Sequence, residues 1–113
     1  MYEEKNWTLL RIFLTDKDTY RGEPLYSTIV LKCRELGLAG ATVLRGLIGY
    51  GNSKVIHTTG ILSMTGTLPL VLEVCDEPEK IEAALPEFKK MIDEARCGGL
   101  ITLELARVVH FNG

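Results

Sequence analysis

Four glycines carry the first suggestion of chemistry in this sequence: Gly49 and Gly51 in the run GYG, and the adjacent Gly98 and Gly99. A residue without a Cβ lets backbone N–H groups come close to a ligand, and phosphate oxygens are the acceptors best served by such donors. The same glycines also suit plain chain reversal, and Gly98-Gly99 suits the end of a helix. A phosphate needs a cation as well. Arg45, Arg107 and Lys54 are the candidates, and arginine is built for bidentate contact with phosphate. Thr42 offers a hydroxyl to a base or a ribose, although threonine is equally an ordinary strand residue. Tyr50 offers a ring on which a base can stack, or simply a cover for the core edge. Arg45 has a competing use as the ion-pair partner of Glu73 on one sheet face.

Other chemistries find less support. His57 and His110 lack a second ligand at metal spacing such as HxH or HxxxH. Cys33, Cys75 and Cys97 form an odd set with no CxxC pair; Cys33 and Cys75 read as small core residues and Cys97, beside Gly98, as a more exposed one. No Walker A, GxSxG or HExxH pattern occurs. Paired acid–base catalysis needs burial to shift its carboxylates, and only Glu73 falls on a buried strand pattern. The expectation is a binding protein and not an enzyme. A formal net charge of −2 argues against a nucleic-acid groove, which needs a basic excess, but leaves room for a small anion. No 18-residue apolar stretch and no leader pattern are read, so stable membrane insertion is not expected and the cytoplasm is.

These residues must be held by elements that the hydrophobic pattern outlines. The 113 residues, 46% hydrophobic and 25% charged, make one globular domain spanning 1–113. Trp7–Leu14 (WTLLRIFL) predicts a buried strand. Thr15–Gly22 is turn-like. Glu23-Pro24 opens a helix whose apolar face is Leu25, Ile29, Val30, Cys33 and Leu36, with Gly37 as its stop. Ala41–Ile48 predicts a second strand. Gly49–Gly66 is a long Gly/Ser/Thr-rich loop, of a length usually kept for function, in which Val55–His57 or Ile61–Met64 can form a short strand or helical turn. Leu68–Cys75 predicts a third strand. Asp76-Glu77-Pro78 opens a second helix, which Pro86 should kink or restart. Leu100–Phe111 predicts a last strand, interrupted near Glu104. The order is β-α-β-β-α-β: an α+β, ferredoxin-like fold with a four-stranded antiparallel sheet and two helices on one face.

A sheet wet on one side alternates apolar and polar residues, and these strands do not. The face opposite the helices stays largely apolar, with Arg11, Arg45 and Glu73 set into it. Such a patch predicts an interface, here between copies of the chain packed around a shared axis.

Several segments, taken together and in order, identify a family. GLAGATVLRGLIGYG (Gly37–Gly51), Ile56-His57, LPLVLEV (Leu68–Val74) and Gly99-Leu100-Ile101-Thr102 with Glu104 resemble the uncharacterised PII-like family, the domain of unknown function numbered 190, which looks like a branch of the nitrogen-regulatory PII signalling proteins. The resemblance implies a homotrimer, an adenine nucleotide (ADP or ATP) in the clefts between protomers, and a flexible loop over 49–66 that engages a protein target. Gly40-Ala41-Thr42-Val43 is similar to the PII stretch opening the second strand, and Gly49-Tyr50-Gly51 to the glycine–aromatic–glycine at the root of the PII loop. Cys97-Gly98-Gly99 keeps the glycines of a phosphate-binding turn, with Leu100 where PII proteins carry lysine. Arg107 is the late arginine available to phosphates. On this basis Thr42, Arg45, Gly49, Tyr50, Gly51, Gly98, Gly99 and Arg107 form the candidate nucleotide site. Two other functions are weighed: a metal-tolerance trimer like the related CutA proteins, in which His57 or a cysteine would matter, and a small enzyme acting on a phosphorylated metabolite.

Overall fold

A computed structural model describes residues 1–51, 54, 56–58 and 67–113, with the side chains of His57 and Thr58 left aside. The elements run β1 (Tyr2–Thr15), β2 (Thr19–Tyr20), β3 (Glu23–Pro24), α1 (Leu25–Glu35), β4 (Thr42–Arg45), β5 (Ile48–Gly49), β6 (His57–Thr58), β7 (Pro69–Asp76), α2 (Pro78–Ala95) and β8 (Leu100–Phe111). The main sheet has the order β4-β7-β1-β8 with every pairing antiparallel. This is the ferredoxin-like α+β arrangement that the element order predicts.

The core explains why the pattern works. Leu10, Ile12 and Leu14 of β1 and Leu70, Leu72 and Val74 of β7 alternate onto one face. They meet Leu25, Ile29 and Cys33 of α1 and Ile81, Ala84, Phe88 and Met91 of α2. Period 2 on the strands and period 3.6 on the helices thus point at one layer. Buried Asp76 ties the layers together: its carboxylate accepts from the Glu77 N–H at 2.7 Å and from the Ala39 N–H at 2.9 Å. The second of these bonds holds the segment leading into β4 against the end of β7.

Several boundaries depart from the sequence reading. The first helix begins at Leu25; Pro24 is its N-cap and, with Glu23, pairs with Thr19–Tyr20 instead of forming the first turn. Gly37 does supply the left-handed stop, at φ 74°. α2 runs without a restart through Pro86. β8 continues through Glu104 without interruption, because all twelve positions from Leu100 to Phe111 find a partner on β1. The span Ala41–Ile48 is divided into β4 and β5. Of the two segments considered inside the long loop, Ile61–Met64 lies outside the described residues, and His57–Thr58 forms β6, paired with Ile48–Gly49.

Beyond Thr8 the sheet narrows to a two-stranded ribbon, since Tyr2–Trp7 pair only with β8. One copy therefore measures 48 × 27 × 22 Å. No helix among the described residues is long and apolar enough to cross a membrane.

Candidate functional site

The groups of interest lie at three places on this frame. The first is the end of β4. The Gly46 N–H donates to the Pro69 carbonyl at 2.7 Å, and a Cβ on Gly46 would sit 2.9 Å from Pro69 Cγ. Only glycine lets the chain turn this tightly against Pro69, and the turn breaks the strand and launches β5. Arg45 ends β4 on the exposed edge, and Gly49 ends β5. Tyr50 is exposed, with the Lys54 ammonium 5.6 Å from its ring centroid. The Lys54 N–H donates to the Gly51 carbonyl at 2.9 Å, closing a turn. Gly51 has a backbone that any residue adopts, and a Cβ there would meet nothing within 4 Å. Among the described residues neither packing nor conformation explains that glycine, and without a Cβ its backbone permits a close approach.

The alternative use of Arg45, a pair with Glu73, is not found. Register puts Arg45 opposite Leu70, on the helix side, whereas Thr42 lies opposite Glu73. Glu73 instead accepts from Arg11 Nε at 2.8 Å, and Arg11 Nη1 also donates to Glu104 across the neighbouring strand. Glu73 first, then Glu104, raise the guanidinium pKa of Arg11. The charges set into the open face are thus Arg11, Glu73 and Glu104, already satisfied by one another.

The second place is the opposite edge. α2 ends in Arg96, in left-handed backbone at φ 56°, ψ 31°. Gly98 and Gly99 then lead into β8. A Cβ on Gly99 would lie 3.2 Å from Ile92 Cγ2 and 3.4 Å from the Phe13 carbonyl, so this glycine has a packing role of its own. An open groove of about 850 Å³ runs beside it, walled by Lys89, Lys90, Asp93, Arg96 and Ile101. The sequence reading passed over these three cations because they read as the solvated end of a helix. Their clustering against Gly99 exists only once the end of α2 meets the start of β8.

The third place is the start of β4 on the open face. Thr42 shares a cavity of about 340 Å³ with Trp7, Leu9, Gly40, Glu73, Cys75 and His110. Trp7 reads in the sequence as one more apolar strand residue, and His110 is weighed there only as a metal ligand. The Cys75 thiol is pushed up by burial and by Asp76, which leaves it a poor nucleophile. His57 stands in β6, its side chain outside the described residues. Among the described residues no three His, Cys, Asp or Glu side chains group as a metal site.

Arg107 stands apart. It lies opposite Asn6 in the ribbon, seven residues along β8 from Leu100, or about 23 Å at strand rise. It lines a separate hollow of about 430 Å³ with Glu4, Lys5 and Val109. The remaining groups divide between edges. Arg45, Gly49, Tyr50 and Gly51 belong to the β4 edge, and Gly98-Gly99 with the cationic groove to the β8 edge. Antiparallel order puts both at the same end of the sheet, three strand spacings apart, about 14 Å.

Comparison with known proteins sets this geometry in context. Residues 7–108 match the model of the family DUF190, described as "Uncharacterized ACR". The chain is 39% identical over 102 residues to a UPF0166 protein of Aquifex aeolicus (strain VF5), covering 90% of this chain and 92% of the relative. It is 33% identical over 84 residues to a UPF0166 protein of Methanocaldococcus jannaschii, covering 74% and 77%. Among solved structures it is similar to CPII of Thiomonas intermedia K12, a nitrogen regulatory PII-like protein bound to ADP, AMP and bicarbonate, at TM-score 0.68 and 15% identity over 94% of this chain and 91% of that one. A PII-like signalling-protein candidate from Thermus thermophilus superposes at TM-score 0.67 with 18% identity, covering 94% and 92%. The chain belongs to the uncharacterised DUF190 family, and its fold is that of the PII-like proteins.

Proposed function

We propose that this chain is a PII-like regulatory protein that assembles as a homotrimer, binds ADP or ATP in the clefts between protomers, and presents the 49–66 loop to a protein target. The observation that carries the reading is the division of the candidate groups between the two edges of one sheet. Arg45, Gly49, Tyr50 and Gly51 lie on the β4 edge, and Gly98-Gly99 with Lys89, Lys90 and Arg96 on the β8 edge. A single copy holds them too far apart to grip one phosphate chain. A ring of copies joined head to tail brings the β4 edge of one against the β8 edge of the next, the heterologous contact that generates a cyclic oligomer when its rotation closes.

The chemistry on the two edges is complementary for a nucleotide. Gly51, having no Cβ, lets its backbone come close to phosphate oxygens. Arg45 and Lys54 supply cations from one copy, and the cationic groove of the neighbour supplies the rest. The cavity beside Thr42 has the flat, mostly apolar walls of a base pocket with a few polar groups. CPII, which shares the fold, is described as bound to ADP and AMP. A ligand held at Gly49–Gly51 touches the root of the 49–66 loop, so differential affinity for two loop arrangements is enough to make that loop a switch.

Calorimetric titration with ADP and ATP, run beside a light-scattering mass, tests the reading. Micromolar binding by a particle three times the 12.6 kDa of the single chain is expected. A single-chain particle, or a trimer indifferent to both nucleotides, overturns it.

A further inference from the structure

Trp7 is the one tryptophan of the chain. It lies on the open side of the sheet, yet only 7% of it is exposed. Its indole Nε1–H is buried without a hydrogen-bond partner, and no other side-chain polar atom among the described residues is in that position. A buried donor left unpaired loses its water and gains nothing, so native structures nearly always satisfy it. A tryptophan kept for packing alone normally reaches an acceptor with that N–H. Here the indole is one wall of the cavity that holds Thr42, and the His110 ring lies against it with centroids 5.1 Å apart and planes tilted by 47°. His110 is exposed and stands on the ribbon part of β8, where β1 is the one paired strand. A side chain so placed has little packing to lose on moving aside.

We propose that Trp7 is the base-reading residue of the nucleotide site: a purine ring enters the cavity, displaces the His110 imidazole, and accepts the in-plane Trp7 Nε1–H edge to edge on a ring nitrogen. The proposal rests on the nucleotide reading above. Indole is a donor only, so its partner must present an acceptor. A purine ring nitrogen, whose lone pair lies in the plane of its own ring, meets that need. Thr42, on the same cavity, both donates and accepts through its hydroxyl and suits the rest of a purine rim.

With one tryptophan in the chain, its emission reports on this site alone. ADP is titrated into the full-length protein while Trp7 emission and heat are followed in parallel, and 1-, 3- and 7-deaza-ADP are compared on wild type and Trp7→Phe. Emission should change with the midpoint of the heat, and Trp7→Phe should bind ADP about tenfold more weakly. One deaza analogue should lose about tenfold on wild type and nothing further on Trp7→Phe, since the contact it lacks is already gone. His110→Ala should alter the emission of the unliganded protein. Heat on ADP binding with unmoved emission and an unchanged Trp7→Phe affinity overturns the proposal and leaves the nucleotide reading in place. Silence with both ADP and ATP removes that reading, and this one with it. Emission that tracks protein concentration and ignores ADP assigns the donor to a neighbouring copy and also overturns the proposal. Should Trp7→Phe fail to fold, undiminished binding of all three deaza analogues by the native protein overturns it.

Discussion

Cys33 shows how a single side chain ties chemistry to the core. It is buried between α1 and the sheet, and that burial pushes its thiol up to about 11, because a thiolate has no water there. In the unfolded chain the thiol returns to its usual value near 9. Below that value both states keep the proton and the stabilising contribution is complete. As pH rises toward 11 the unfolded chain ionises first, so this contribution is lost across that window. The folded protein should therefore leave Cys33 unalkylated at neutral pH until denaturant is added. Urea midpoints should fall from pH 9 to pH 11 more steeply for wild type than for Cys33→Ala, a comparison that cancels the lysines and tyrosines titrating alongside. Equal slopes would remove Cys33 as a cause. The core role of Cys33 was legible from its place on the helical stripe. The partnerships of Arg11, Glu73 and Glu104 were not, because they depend on which strands become neighbours, and that is decided by residues 62 and 93 positions apart.

Element by element, the same division holds. Apolar periodicity located the four long strands and both helices, since burial on one face is a local pattern that the chain repeats. It failed where one residue's tendency competes with packing around it. Pro86 sits in α2, five residues after fully buried Ile81 and two before fully buried Phe88. Those anchors hold one axis through the proline, and Pro86 and Glu82, whose carbonyl the proline frees, are both exposed residues. β8 likewise tolerates Glu104, because that carboxylate has Arg11 to meet. The cost of Pro86 is recoverable. Pro86→Ala returns an N–H to the helix and gains about 3 kcal/mol of propensity, less about 1 kcal/mol for the freer unfolded chain, leaving about 1–2 kcal/mol once the present accommodation is counted. A higher urea midpoint with unchanged slope is the expected measurement. A midpoint at or below wild type would mean that the ring itself packs usefully.

At the scale of the molecule, the open face of the sheet is organised in rows that the sequence could not display. Register aligns Leu44, Val71, Phe13 and Leu100 across all four strands, and the next row holds Thr42, Glu73, Arg11 and Thr102. An apolar row spanning a whole sheet beside a charged row whose Arg11 is paired within the copy is a surface suited to a second copy: the first supplies burial, and the second can be covered without leaving an unpaired charge. Leu44 and Leu100 end the apolar row on opposite edges and are well exposed in one copy, so each can be changed with little effect on the fold. On the trimeric reading, Leu100→Glu should therefore lower the light-scattering mass from three chains to one while circular dichroism stays as it is, because it replaces apolar burial at that contact with a charge that must lose its water. If the nucleotide cleft is shared between copies, ADP affinity must fall with the mass; because Leu100 adjoins Gly98-Gly99, where a carboxylate also repels phosphate, Leu100→Gln, which adds no charge, should show the same paired loss. Leu44→Glu, on the other edge, should give the same pair of losses independently. A Leu100→Glu protein that binds ADP undiminished as a single chain would place the whole site within one copy, and the edge-sharing argument would fail with it.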